Sequence, residues 1–399
     1  MRGCGRGDKL GGVAEVFRAF LKLGLTSFGG PVAHLGYFRE EFVQRRRWLD
    51  DRAYVDLVAL AQFLPGPASS QVGMGLGLMR AGLPGMVAAW AAFTLPSALI
   101  LVAVAYGAAA LRGPAVQGIT HGLMIAAVAV VAEAVLGMAR KLTPDWPRGL
   151  AAAFAVVMSL LMPSAFSQIG LLVAGGLFGF AFLTAGDLGQ HVPLASPIGR
   201  RAGAVLIAVF FALLFLLPVL AAEGGAGLQL FDIFYRAGAL VFGGGHVVLP
   251  LLESDLVPRG FISRDAFLAG YGAAQAVPGP LFTFSAYVGA ALDQGPRGLA
   301  GAAICLAGMF ASSFLLMPGV MPFWLRLSHL AGPRAALMGV NAAVVGILGA
   351  AFYSPVVTSA IHAPADAALA VAAWALLALA KAPAWAVVIA CGVAGLVIS

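Results

Sequence analysis

Phe17-Arg18-Ala19-Phe20-Leu21-Lys22-Leu23-Gly24-Leu25-Thr26-Ser27-Phe28-Gly29-Gly30 returns 214 positions later as Phe231-Asp232-Ile233-Phe234-Tyr235-Arg236-Ala237-Gly238-Ala239-Leu240-Val241-Phe242-Gly243-Gly244. Two phenylalanines, a base, a glycine and a closing Phe-Gly-Gly keep their places. Further on, Gln62-Phe63-Leu64-Pro65-Gly66-Pro67 returns as Gln275-Ala276-Val277-Pro278-Gly279-Pro280 at an offset of 213. Trp48 and Tyr54 align with Phe261 and Phe267, and Gly82-Leu83-Pro84-Gly85 with Gly295-Pro296-Arg297-Gly298. Such a long colinear match marks a duplicated domain, since solenoid units recur every 20 to 50 residues or so. Helix-breaking patterns duplicated inside apolar sequence are the mark of a secondary transporter whose halves surround one central site.

Hydrophobic residues make up 61% of the chain and charged residues 10%, against roughly 45–50% and 25% in soluble domains. That excludes a soluble globular fold. Uncharged stretches at Leu83–Leu111, Leu150–Leu183, Ala202–Ala222, Ala266–Leu292, Gly298–Leu325, Ala335–Ile361 and Ala382–Ser399 each approach or exceed the roughly 20 residues that span a bilayer. Leu150–Leu183 has room for two helices that part at Pro163, where a backbone donor is missing. The expected fold class is an all-α polytopic membrane protein. It should hold about 10 to 13 membrane segments in two homologous, inverted repeats with broken or re-entrant helices.

The domains expected are a disordered tail at 1–12, a first repeat at 13–184, a connector with one transmembrane helix at 185–227, and a second repeat at 228–399. An odd number of crossings then precedes the second repeat, which turns it upside down. The tail lacks the apolar core and cleavage site of a signal peptide. The net charge of +7 does not point to nucleic acid, because the bases sit in loops and helix ends. The densest run, Arg39–Arg52, reads as cytoplasmic, either as a solvated stretch that fixes topology or as an anion-collecting funnel. Cys4, Cys305 and Cys391 have no paired spacing for a disulfide or a metal.

Consecutive glycines in Phe28-Gly29-Gly30-Pro31 and Phe242-Gly243-Gly244-Gly245 cannot hold a helix in lipid, so the backbone opens there. Opened backbone at membrane depth is tolerated where it is buried in protein or lines a wet cavity; close helix packing is the plainer alternative. Pro65-Gly66-Pro67 and Pro278-Gly279-Pro280 break the chain more strongly. The helix that restarts after each carries free N–H groups and a positive dipole end, an anion site to which Ser69, Ser70 and Gln71 or Thr283 and Ser285 would add donors. A simple kink is the competing reading. Lys22 and Arg236 occupy matched places in apolar helices, where a base costs on the order of 2.5–3.5 kcal/mol and so faces a cavity or a partner. Lys22 could instead snorkel, and Arg236 could pair with Asp232 one turn back.

Gln62 and Gln275 offer amides just before the bends, as ligand contacts or as helix glue. His34, His121 and His246 stand isolated in apolar sequence, as coupling groups or as hydrogen-bonded packing residues; His34 and His246 are not equivalent. Glu133 and Asp56 are the acids of interest, and neither has a partner in the other repeat.

On Phe28-Gly29-Gly30-Pro31 with His34, Glu41-Phe42-Val43 through Trp48-Leu49, Gln62 through Pro67 with Gln71, Phe242 through Gly245, and Gln275 through Pro280, the chain resembles the chromate ion transporter family in its long, two-repeat form. The likeness spans nearly the whole chain. It implies a multi-pass protein of the inner, cytoplasmic membrane that expels chromate and confers resistance, with sulfate as a look-alike oxyanion. Glycine at 245 in place of proline, and the missing counterpart of His34, argue against a strictly symmetric ligand shell.

A dianion enters a low-dielectric region only if charge and oriented donors offset its desolvation. Two bases and two half-helix ends would supply that. An inside-negative potential favours expulsion of a dianion by roughly 4.6 kcal/mol per 100 mV. Uptake would need several co-transported cations, for which no repeated acidic site is expected. Export of chromate by alternating access is therefore the leading reading. Transport of sulfate or another tetrahedral oxyanion is the alternative, and an intramembrane lipid-phosphate enzyme is the alternative of another class. The enzyme would need metal-holding acids or a nucleophile pair. No catalytic residue, cofactor, metal or nucleic-acid partner is expected; the partners are the oxyanion and the bilayer, with a homodimer left open.

Overall fold

The computed structural model describes residues 6–110, 113–186 and 192–398, and every regular element among them is helical. The first repeat holds α1 (Arg6–Thr26), α2 (Gly30–Phe38), α3 (Asp51–Phe63), α4 (Ala68–Ala110), α5 (Pro114–Leu142), α6 (Trp146–Leu161) and α7 (Ala165–Phe182). The connector holds α8 (Arg200–Glu223). The second repeat begins with α9 (Ala226–Leu240), α10 (Val248–Leu256), α11 (Arg264–Ala276), α12 (Phe284–Ala290) and α13 (Gly298–Val320). It continues through α14 (Trp324–Leu327), α15 (Ala331–Ala351), α16 (Thr358–Ala360), α17 (Pro364–Ala378) and α18 (Ala384–Ile398). α1 extends back to Arg6, into the stretch expected as a tail, while positions 1–5 lie outside the described residues.

α3, α6, α7 and α11 carry ordinary side-chain caps: Asp50 accepts from Ala53 N, Asp145 from Arg148 N, Ser164 from Ser167 N and Ser263 from Ala266 N. α2 and the turn at Gly245–Val247 have none. They start instead from Gly29 and Gly30 at φ 101° and 75°, and from Gly243 and Gly244 at φ 76° and 151°. Only glycine takes such angles cheaply, which accounts for the duplicated pair.

Each repeat opens with two re-entrant hairpins. α1 and α2 fold back on one another: Phe20 stacks on Phe42 at 4.7 Å and meets Phe38 edge-on at 5.5 Å, and Glu15 reaches Arg46 at 3.4 Å. The Phe-Gly-Gly break is therefore the tip of the hairpin and the charged network its base. α3 and the first arm of α4 form the second hairpin, with Pro65-Gly66-Pro67 at the tip and Leu57 against Gly75. α4 then reverses at Ala81 and Gly82, whose φ/ψ are not helical, so that the backbones of Gly77 and Gly85 touch. The second repeat copies this, since α9 folds back on α10, Phe267 of α11 meets Phe284 of α12 at 5.1 Å, and Gly289 touches Gly301 after the next turn.

Beyond the hairpins the repeats exchange partners. α15 packs on α6 and α7 of the first repeat, and α5 on α17 and α18 of the second. Both interfaces close on glycine backbone: Gly339 against Gly175 and Gly179, and Gly122 against Cys391 and Gly395. Small residues allow that approach where lipid offers no hydrophobic drive between helices. Tyr106 at the end of α4 accepts from Leu299 N at the start of α13 across 3.2 Å. Trp324, past the end of α13, donates to Asp56 across 3.1 Å. The second arm of α4 and α13 thus run antiparallel.

Among the described residues, five helices are long and apolar enough to cross a membrane: Ala68–Ala110, Ala115–Leu142, Arg200–Glu223, Gly298–Leu327 and Ala331–Ala360. α6, α7, α17 and α18 are shorter apolar helices, and Pro163 separates α6 from α7 as its sequence position predicts. α8 lies at the periphery and exposes Phe211, Phe215, Val219 and Leu220, a face made for lipid.

Candidate substrate site

The two kinds of break meet across the repeats. The amide of Gly66 donates to the carbonyl of Val241 at 2.7 Å, and the amide of Gly279 donates to the carbonyl of Ser27 at 2.9 Å. Gly66 and Gly279 are equivalent, as are Ser27 and Val241. Each proline turn therefore completes the backbone that opens at the Phe-Gly-Gly break of the other repeat. Gly66 at φ 119° and Gly279 at φ 106° require glycine. Space forbids anything else as well: a methyl on Gly66 would lie 2.7 Å from Gln71 Nε2 and 3.0 Å from Ser313 Oγ, and one on Gly279 would lie 2.8 Å from Ser97 Oγ.

Small polar side chains gather at this crossing. Ser27 Oγ, Ser70 Oγ, Gln71 Oε1, Thr94 Oγ1, Ser312 Oγ, Gln275 Nε2 and Asn341 Oδ1 are buried without a hydrogen-bond partner. Ser27, Ser70, Gln71 and Gln275 lie within a few residues of a break, and Asn341 Oδ1 would meet a methyl on Gly243 at 3.3 Å. An unpartnered buried group costs about 1–3 kcal/mol. A cluster of them in a chain that is 61% hydrophobic calls for water or a polar guest to supply the missing bonds.

The sequence-derived residues fall into distinct places. Ser69, Ser70 and Gln71 are buried in the first turn of α4: Ser69 Oγ lies 3.3 Å from His34 Nδ1, and Gln71 Nε2 donates to Pro65 O at 2.7 Å and to Ser313 Oγ at 3.2 Å. Their counterparts differ. Thr283 Oγ1 donates to Pro280 O at 2.7 Å and Ser285 Oγ to Phe282 O at 2.8 Å, and the restart is a single 3₁₀ turn before the short α12. The expectation of two equivalent half-helix ends is corrected to one well-formed end, at α4, and one short 3₁₀ start whose hydroxyls donate back to backbone carbonyls. Gln62 is exposed, whereas Gln275 is half-buried. Gly29 and Gly243 are exposed, and Gly30 and Gly244 half-buried. His34 is buried, its Nε2 3.3 Å from Ser27 O, and His246 Nδ1 lies 2.6 Å from Tyr271 OH. Although unmatched in sequence, both histidines stand just behind a Phe-Gly-Gly break.

The two matched bases have different surroundings. Arg236 is largely buried between Asp232 at 2.9 Å and Asp255 at 3.3 Å. Its pairing with Asp232 realises the bland alternative read from the sequence, and Asp255 adds a second carboxylate. Lys22 is exposed, with Glu41 near enough to feel its charge. Glu41 and Asp255 are themselves 214 positions apart, both are buried, and each pairs with an arginine four residues on, Arg45 at 3.2 Å and Arg259 at 3.0 Å. An acid is therefore repeated, although both copies pair with arginine and neither forms the cation site that uptake would need. Base, acid and base recur as Lys22, Glu41, Arg45 and as Arg236, Asp255, Arg259. The signal lay in the same offset that carried the glycines, hidden because the acid changes from Glu to Asp. Burial pushes the Glu41 carboxyl up, but hydrogen bonding and charge from Arg46, backed by Arg45 and Lys22, outweigh it and hold the group below its ordinary value.

A cavity of about 620 Å³ lies between α6 and α7 and is lined by apolar side chains such as Phe154, Leu171 and Phe178, an unsuitable home for a dianion. A void of about 10 Å³ sits beside Arg236 and Asp255, room for roughly one water.

The sequence pattern of the chromate transporter family matches residues 14–180 and again 228–396. The chain belongs to the chromate transporter family. The two matches coincide with the two structural repeats, and the long apolar helices make this transporter family member a multi-pass membrane protein. It is 30% identical over 345 residues to the chromate transport protein of Pseudomonas aeruginosa, covering 84% of this chain and 79% of that one. It is 27% identical over 342 residues to a probable chromate transport protein of Synechococcus elongatus, covering 84% and 83%. To the uncharacterized transporter YwrB of Bacillus subtilis it is 32% identical over 124 residues, 31% of this chain and 61% of that one. No solved structure matches.

Proposed function

We propose that this family member exports chromate across the inner membrane by alternating access and thereby confers chromate resistance. The observation that carries the reading is the reciprocal docking of Gly66 on Val241 and Gly279 on Ser27, surrounded by hydroxyls and amides that lack partners. The hydroxyls and the Gln275 amide nitrogen among them can donate to the oxygens of a tetrahedral anion, and relatives named for chromate transport make chromate the first candidate. The repeats are read as inverted, a reading supported by the antiparallel α4 and α13 and by three long crossings, within α4, α5 and α8, before α9.

The duplicated acid refines the mechanism. In the empty carrier, Asp255 and Glu41 share the charge of Arg236 and Lys22, so that neither base is left bare at membrane depth. An entering dianion competes for the bases, and the carboxylates keep their pairs with Arg259 and Arg45. Binding therefore exchanges one ion pair for another instead of desolvating a lone charge. Voltage sets the direction, since moving a dianion out of a negative interior releases roughly 4.6 kcal/mol per 100 mV. Chromate flux in sealed proteoliposomes under an imposed potential tests the reading, with sulfate as competitor to rank the two oxyanions.

A further inference from the structure

One cluster of titratable groups takes no part in that mechanism. His121 lies on α5 of the first repeat, whereas His362 and Asp366 lie at the start of α17 in the second, and the ligand atoms of all three are within 4.8 Å of one another. The rings of His121 and His362 are 5.8 Å apart and 17° from parallel. His121 Nε2 lies 2.9 Å from Asp366 Oδ1. The other oxygen, Oδ2, accepts from the amides of His362 and Ala363, both at 2.9 Å. We propose that His121, His362 and Asp366 bind a borderline divalent cation such as Zn²⁺ or Ni²⁺, which clamps α5 to α17.

The donor set supports that ion class. Two neutral imidazoles and one carboxylate with an open fourth position suit Zn²⁺ and its neighbours, whereas Mg²⁺ and Ca²⁺ favour shells made of oxygen. The carboxylate is buried and already oriented by two backbone amides, the kind of support that fixes a ligating group. His362 is exposed, so its ring can turn and the ion can enter from solvent. Ligand atoms around such an ion stand roughly 3.5 Å apart, a closure of about an ångström from the present arrangement. No local pattern reveals this grouping, because the first histidine and the carboxylate are 245 positions apart.

The site occurs on one side only. The equivalent interface, α15 on α6 and α7, closes through Gly339, Gly175 and Gly179, and α6 begins with the Asp145–Arg148 pair instead. A ligand here is thus no part of the duplicated substrate machinery. It would hold one of these two exchanged helix interfaces and leave the other free. The effect on flux rests on the alternating-access reading; binding itself does not.

The test uses purified, tag-free full-length protein titrated with ZnCl₂ or NiCl₂ by calorimetry, with melting temperature as a second readout. One ion per chain is expected, with micromolar affinity. Affinity should fall at least ten-fold in His362→Ala, whose side chain is exposed, and in His121→Ala, and the metal-induced rise in melting temperature should vanish in both. Absence of saturable binding, or equal binding in wild type and both variants, overturns the site. Zn²⁺ should also slow chromate flux in wild type and leave His362→Ala untouched; binding without that slowing keeps the site and overturns the clamp. If the protein carries no chromate at all, calorimetry and melting still decide the site.

Discussion

Gly66 donates its amide hydrogen to the carbonyl of Val241 across 2.7 Å, tying the proline turn of one repeat to the residue before Phe242-Gly243-Gly244 in the other. Its mirror, Gly279 on Ser27, makes each repeat the hydrogen-bond partner that the other lacks. In lipid an opened backbone must find such partners within protein. The tips of the hairpins can therefore serve as a polar centre only while both copies are docked.

Gly66→Ala and Gly279→Ala should each remove transport. The methyl meets Gln71 and Ser313, or Ser97, and an alanine at positive φ adds about 1–2 kcal/mol of strain. A fall of several degrees in melting temperature with near-complete loss of chromate flux is expected from either. Wild-type flux in both would show that the docking is dispensable.

Lys22 and Arg236 should separate stability from transport. Arg236→Ala leaves Asp232 and Asp255 facing each other, and breaking a buried pair costs about 3–5 kcal/mol, so expression and melting temperature should drop along with flux. Lys22 is exposed, so Lys22→Ala should lose flux with melting temperature nearly unchanged. Arg236→Lys should fold but carry oxyanion poorly, because a point charge cannot replace a guanidinium fork that serves two carboxylates. Full flux in Lys22→Ala and Arg236→Lys would remove the bases from the site.

Much of this was legible in the chain before any coordinates. The offset that joins Phe28-Gly29-Gly30 to Phe242-Gly243-Gly244 gave the repeats and the breaks, because glycine and proline are read directly as backbone conformation. The pairing of breaks across repeats, and the exchange of α5 and α15 between them, were not legible. They are contacts between residues well over a hundred positions apart, with no local signal. Glu41 and Asp255 could have been found by the same alignment, but a search for identical residues passes over them. The asymmetry of Ser70 and Thr283 lies in side-chain direction, which sequence does not encode in any periodic way.

The network around Glu41 sets an acid limit on stability. Its carboxyl is held below the ordinary glutamate value of 4.5, so the stabilisation is complete above that value and is lost as pH falls through the lowered one. Melting temperature in detergent should be flat from pH 7 to about 5 and fall below about 4.5. Glu41→Gln should lower the plateau and flatten the fall. A variant as acid-sensitive as wild type would place the limit elsewhere.

Inversion of the repeats can be read from accessibility. Gln44 and Pro258 are equivalent and exposed. In a background lacking Cys4, Cys305 and Cys391, Gln44→Cys and Pro258→Cys should react with a membrane-impermeant maleimide from opposite faces. Labelling of both from one face would make the repeats parallel.

The most direct measurement is chromate flux by the purified protein in sealed liposomes with a potassium-diffusion potential of either sign. Chromate should leave the negative compartment at a rate that rises with the potential, and Gly66→Ala should abolish the flux. Accumulation of chromate into the negative compartment, or flux unchanged by Gly66→Ala, would contradict an oxyanion path through the docked breaks.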